Sequence, residues 1–574
     1  MDSSRQPDVF IVNELSLIRL VYGLLRGRPV RILGVAALLA PLQGRLQHLV
    51  DRLIATGRAR RMVDELPELK AASEYVTLIY AGDIYRKLEV WQARHFDYDG
   101  ADRADPDHAA AYKLTSGKYF HWKYVLIHLL EATRRRYPQR RVFGASADLL
   151  ALTEAYFGPA AAAGISAQWM PRRLINLGVA ILSTLVAAAW TLSRVRRRWD
   201  VREVFLAADF LNDPRDKYLF DEVADGGEIL IIPRNAEIER TLLPDMRGYS
   251  RCLLRQGFFD PKGAAQALAE LIRDGVGLYR RHGGRDPELY YHISTFSFRR
   301  MNYRALFNRY RPKFFWGRDD YQVESLLRRS ELHRVGAKSL GISHAVQGIC
   351  ILMAMWRWIS FDIYYVWADV IRRHYQDSWA KDMAVRVVGS FGFSRQQLLS
   401  GRRPEKSILL MCRYVVGEPE MIRLVRETAE AFPDYEIWVQ AKAGYAHDRL
   451  VPDYIAACRQ SLSNVHHATG DVYQLVLRAG YVVTDASSVI SECLQVGVPT
   501  LMFDAIADHE TCLYREFPGL CITNADDMLA ALKRLIRDGE PYPIEAYADL
   551  YNASGRLIYD IIREDLGLPA KDRV

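Results

Sequence analysis

Residues 481–504 read YVVTDASSVISECLQVGVPTLMFD. The β-branched run 481–484 predicts a strand, and the short polar side chains of Asp485, Ser487 and Ser488 break it as turn formers or helix N-caps. An apolar helical pattern then runs from Val489 to about Val496. Gly497 and Pro499 end it and introduce a second strand over 500–503. Strand, polar turn, helix and strand at this spacing are one unit of a doubly wound parallel sheet. In such sheets ligands meet the carboxyl ends of the strands.

Working outward, the same alternation extends back to strands at 408–411 and 437–439 and forward to a helix over 525–537. Before it, residues 391–406 turn polar, with Gly401 and Pro404 as breakers, and read as a linker. Upstream, short apolar runs recur at 9–12, 30–35, 142–145, 204–207, 229–232, 314–316, 339–342, 363–366 and 385–388, and helical patterns separate most of them. Sheets buried on both faces leave this trace. The expected organisation is α/β with two Rossmann-like lobes: a large N-terminal acceptor lobe over 1–390, the linker, and a nucleotide-donor lobe over 407–543. A last helical stretch, 544–574, is expected to pack back on the first lobe.

A chain of 574 residues is too long for one core, and its 50% apolar and 25% charged composition is that of a folded protein. The net charge of +8 admits an anionic ligand, a membrane surface or nucleic acid without choosing among them. Seven scattered cysteines without a C-x-x-C pair suggest neither a disulfide framework nor a zinc site. With no secretory pattern at the N-terminus, a cytoplasmic location is expected.

One segment is membrane-like. Residues 174–193, LINLGVAILSTLVAAAWTLS, carry no charge over twenty positions, and Arg172, Arg173, Arg194, Arg196, Arg197 and Arg198 bracket them. The length would span a bilayer. If 142–145 and 204–207 belong to one sheet, a single span would divide that sheet across the membrane. Arginines at both ends also give no inside/outside asymmetry. The expectation is a helix on the inner face of the cell membrane with its arginines on anionic headgroups; a buried core helix and a true span are the alternatives.

The residues of 481–504 also suggest chemistry. Ser487 and Ser488 lie where a strand leads into a helix, a setting that suits a phosphate, and Glu492, one turn on, is placed to accept from ribose hydroxyls. Arg413, after the strand 408–411, would face the same cleft. Candidates for a base at strand ends of the first lobe are Asp319, Asp320, His344 and Asp209. Capping of the next helix is the alternative for the Asp319–Asp320 pair, and a packed histidine for His344. No carboxylate or histidine set has metal-ligand spacing, so no metal and no cofactor is expected, the nucleotide-activated donor being a substrate. The adjacent His466 and His467 read as structural. Arginines interleaved with aromatics over 298–311 lack any nucleic-acid fingerprint and read as the outer face of a helix.

The run 482–504 resembles the donor-site signature of the CDP-glycerol glycerophosphotransferase and capsule-polysaccharide glycosyltransferase families: T-D-x-S-S, an acidic residue on the helix, then G-x-P before a strand. Residues 362–393, with D-x-x-x-V-W and Val388-Gly389-Ser390, are similar to the segment those enzymes carry before their interdomain linker. The resemblance implies a GT-B fold and a nucleotide-activated donor bound by Thr484, Asp485, Ser487, Ser488 and Glu492. It further implies a transferase acting on a surface polysaccharide or lipid-linked acceptor. Where relatives carry K-x-H-P, this chain has Gln440-Ala441-Lys442-Ala443, which puts Lys442 at the histidine position. Where they carry Q-H-G, it has His344-Ala345-Val346-Gln347-Gly348. These departures keep two further readings open, a member that binds without catalysis and a nucleotide-sugar epimerase on the same fold.

Overall fold

The computed structural model describes residues 8–14, 16–35, 40–66, 106–163, 165–167, 171–198, 200–210, 213–242, 244–318, 320–346, 356–413, 415–441, 450–504 and 512–571. Three parallel sheets follow one another along the chain. The third runs, edge to edge, Val465–His467, Glu436–Ala441, Ser407–Cys412, Tyr481–Thr484, Thr500–Phe503 and Cys521–Ile522. Its central strands are buried on both faces, as Leu409, Leu410, Val482 and Val483 show. That explains why they read as unbroken apolar runs rather than alternating ones.

The middle sheet has seven strands in the order Ala384–Val387, Ile363–Val366, Lys338–Ile342, Tyr310–Gly317, Arg202–Phe210, Ile229–Pro233 and Ser250–Arg251. The first has five, in the order Ala59–Arg61, Val30–Val35, Asp8–Val12, Val142–Ala145 and Ile165–Ala167. The expectation of one lobe over 1–390 is therefore corrected, because its strands divide between two sheets. Val142–Ala145 pairs only within the first sheet and Arg202–Phe210 only within the middle one. Each sheet starts at its centre, adds strands to one side and then crosses to the other, so all three follow the 3-2-1-4-5 order of doubly wound folds. Strands of such similar units look alike in sequence, and the boundary between two of them leaves no mark.

The helix Pro106–Arg136 packs against both Ala147–Phe157 and Val323–His333, which ties the first sheet to the middle one. The stretch 391–406 contains the helix Arg395–Ser400, capped by a reciprocal Ser394–Gln397 box. Arg395 also pairs with Glu222 and Asp560, so this connection is docked rather than loose. The C-terminal helix Ile558–Asp565 lies on Pro214–Val223 of the middle sheet, with Arg563 paired to Asp225 and the Tyr559 hydroxyl donating to the Phe393 carbonyl. Along Phe296–Arg309 the arginines meet carboxylates, Arg299 on Glu324 and Arg304 on Glu270 and Glu331.

Candidate functional site

A cavity of ≈ 490 Å³ opens at the carboxyl ends of the third sheet's strands and faces the middle sheet across the interlobe cleft. From the third sheet it is lined by Met411, Arg413, Gln440, His467, Thr469, Tyr473 and the whole run from Thr484 to Val489, with Glu492 behind. From the middle sheet come Arg215, His344, Ala345, Val346 and Trp367. A crevice at the strand ends between two doubly wound sheets is where this architecture takes its ligands.

The predicted donor residues meet here and divide by role. Asp485 is buried, and its carboxylate accepts from the Arg413 backbone N–H at 2.6 Å, which fixes the loop after Ser407–Cys412. Glu492 is also buried and accepts from the Ser390 hydroxyl at 3.1 Å. The Ser390 backbone N–H in turn donates to Gln495 at 2.6 Å, so the turn between the lobes is pinned to the helix Val489–Gln495. The Ser487 carbonyl lies 2.8 Å from the Tyr514 hydroxyl, and the Ser487 hydroxyl accepts only a long 3.4 Å contact from the Val489 N–H. Ser488 takes helical backbone angles and makes no side-chain cap. The hydroxyls of Ser487 and Ser488 are therefore not consumed by capping the helix, the ordinary alternative for serines at such a place.

Two buried polar atoms on the cavity wall have no hydrogen-bond partner, Thr484 Oγ1 and Gln440 Oε1. Buried hydroxyls and amides are almost always satisfied, so atoms left open on a cavity wall mark where a polar ligand would bond.

Arg215 and Tyr473 were not singled out from sequence. Arg215 reaches across the cleft and donates to the Tyr473 hydroxyl at 2.8 Å. It is also paired with Asp213 at 2.7 Å; Asp213 binds Arg318, which in turn pairs with Asp216 at 2.6 Å. Burial alone would raise the Asp213 carboxyl, but Arg215 and Arg318 outweigh it and hold the group well below the usual carboxylate range. Asp216 is fully enclosed, and burial pushes it up to about 6 despite Arg318. The Tyr473 phenol is raised by burial and by the neighbouring Glu492 carboxylate. A Cβ on Gly392 would lie 2.0 Å from the Tyr473 ring, so only glycine lets the interlobe turn pass that ring. The signal for Arg215 was the run Asp213-Pro214-Arg215-Asp216 after an apolar strand, an N-cap motif that also places a cation at the strand end.

The base candidates separate. His344 is exposed on the cavity wall, with its ring edge-on to Tyr321 at 5.2 Å. Asp320 is corrected: it is completely buried, accepts from the Tyr364 hydroxyl and the Tyr321 N–H, and lies off the cavity. Asp209 is held by Arg234 through two 2.8 Å bonds, and is structural. Asp319 and Lys442 lie outside the described residues. His467, read as structural, lines the cavity, whereas its neighbour His466 is engaged by Glu436 and Trp438. Among the described residues no three His, Cys, Asp or Glu side chains gather as metal ligands.

No family model matches the chain, and no curated protein matches it in sequence. Among solved structures it is similar to a UDP-GlcNAc 2-epimerase from Neisseria meningitidis bound to UDP-GlcNAc, with 12% identity and a TM-score of 0.42 over 63% of this chain and 99% of that one. It is similar to a variant of the wall teichoic acid polymerase TagF, with 11% identity and a TM-score of 0.39 over 69% and 97%. It is also similar to the calicheamicin glycosyltransferase CalG4, with 13% identity and a TM-score of 0.38 over 65% and 100%. Likeness at this level says nothing about the reaction, and the chemistry open to this chain follows from its own cavity.

Proposed function

We propose that this protein is a transferase that moves a sugar or polyol-phosphate from a nucleotide-activated donor to a surface polysaccharide or lipid-linked acceptor, without a metal. The observation that carries the reading is the pair of unsatisfied buried atoms, Thr484 Oγ1 and Gln440 Oε1, in a cavity that also presents Ser487, Ser488, Arg215 and Arg413. Open hydroxyls with two guanidinium groups suit the phosphates of a nucleotide, and arginine forks bind such oxygens in pairs.

In the reaction, His344 takes the proton from the acceptor hydroxyl as its oxygen attacks the donor carbon or phosphorus. The bond to the nucleotide breaks on the opposite side, and the leaving phosphate gains the electron pair under Arg215 and Arg413. Neither a covalent intermediate nor a cofactor is needed.

Incubation of the protein with CDP-glycerol and UDP-, GDP- and CMP-sugars, with release of free nucleotide as the readout, tests this. Slow release by wild type and loss of at least a hundredfold in His344→Ala is expected. Tight nucleotide binding with no release from any donor, with or without membranes, would instead point to a binding protein on the same architecture.

A further inference from the structure

The helix Arg172–Ser193 is long and apolar enough to cross a membrane, yet only 22% of its apolar window is buried. Its two sides differ sharply. Along one, Val179, Ala180 and Ala187 are buried, Asn176 donates to the carbonyls of Gly283 and Arg285, and Trp190 sits between Phe259 and Phe298. Along the other, Leu174, Ile181, Leu185 and Leu192 stand exposed at helical spacing. A lone helix placed across a bilayer would have to give up the first side along its whole length. The pairing that once argued against a span, 142–145 with 204–207 in one sheet, does not exist, and this packing replaces it.

The partner helix Pro261–His282 extends the exposed surface. Gly275 approaches so closely that a Cβ there would lie 2.8 Å from Thr184 Oγ1, and Ile272 and Val276 beside that crossing are exposed next to Leu185. The result is an apolar strip two helices wide. Exposed arginines stand at its ends, Arg173 at one and Arg197 and Arg198 at the other. An apolar strip wider than scattered surface residues, closed at both ends by cations, complements a layer of acyl chains under anionic headgroups.

We infer that this two-helix face docks the protein in the plane of an anionic lipid bilayer, as a monotopic surface anchor and not as a span. The inference stands independently of the transferase reading, because it is tested by lipid binding alone.

The experiment is flotation of the full chain with vesicles of phosphatidylcholine alone and of phosphatidylcholine with phosphatidylglycerol. Wild type floats with the anionic vesicles, and Ile181→Asp/Leu185→Asp lowers the bound fraction on the order of tenfold with an unchanged melting temperature. Leu399→Asp, an exposed apolar residue on the Arg395–Ser400 helix, leaves binding intact. Arg197→Ser/Arg198→Ser narrows the difference between the two vesicle types. Failure of wild type to float, or flotation of Ile181→Asp/Leu185→Asp equal to wild type, overturns the inference. So does a vesicle-independent dimer that this double variant dissociates, since the strip would then be a contact between copies. Resistance to carbonate extraction would show a span and overturn it equally.

Discussion

The Ser390 hydroxyl donates to the Glu492 carboxylate at 3.1 Å, joining the turn that ends the middle sheet to the helix that carries the proposed donor site. The bond explains why an acid stands on that helix: Glu492 sets the angle between two lobes before it meets any ligand. Glu492→Ala removes the acceptor from the buried Ser390 hydroxyl and leaves space beside Tyr473, at a cost of about 1–3 kcal/mol in urea unfolding. Glu492→Gln keeps an acceptor oxygen and loses less. If both variants unfold like wild type, the junction does not depend on this contact.

Thr484→Val gives the cleanest separation of folding from binding. The hydroxyl has no partner, so replacing it with a methyl group of the same shape leaves stability equal or raises it by up to about 1 kcal/mol. Nucleotide affinity falls about tenfold in the same variant. A loss of stability instead would mean that the hydroxyl has an internal partner in solution.

Arg215 is expected to serve the ligand from the opposite lobe. Arg215→Ala lowers donor affinity tenfold or more, whereas Tyr473→Phe, which removes only the hydroxyl facing Arg215, changes it far less. Calorimetric titration of both variants checks the order. If Tyr473→Phe proves the more damaging, the contact itself and not the cation is what the donor needs.

Asp216 gives the protein a pH signature. Its carboxyl, raised by burial to about 6 from an ordinary value of 3.8, holds its proton more tightly in the folded than in the unfolded state. The stability this brings, about 3 kcal/mol, is complete below about pH 4 and is lost as pH rises through 6. Asp213 works in the opposite direction, but its contribution is lost only as pH falls below about 4, so the window between 4 and 6 belongs to Asp216. Asp216→Asn should therefore gain on wild type as pH rises through that window. Parallel stability curves for the two proteins would show that Asp216 does not titrate there.

Much of the third sheet was legible, because parallel strands buried on both faces leave uninterrupted runs. The strands 481–484 and 500–503 fall where they were read, and the run 408–411 lies inside Ser407–Cys412. Thr484, Ser487 and Ser488 were legible for the same reason, since a sheet of this kind fixes which end of a strand faces its ligand. What crosses between units was not. Arg215 and Tyr473 are 258 residues apart in sequence, and nothing local to either announces that the lobes bring them together. Asp320 was misread because a carboxylate after a strand looks the same whether it turns into the cleft or inward to Tyr364. The division of residues 8–387 into two sheets escaped because both use the same strand order.

The most direct test of the central claim is calorimetric titration of CMP, CDP, UDP and GDP into wild type and into Ser487→Ala/Ser488→Ala. The account predicts that one nucleotide binds wild type and that the double variant, folded to the same melting temperature, loses that binding. Binding of equal strength in both proteins, or of no nucleotide to wild type, would contradict it.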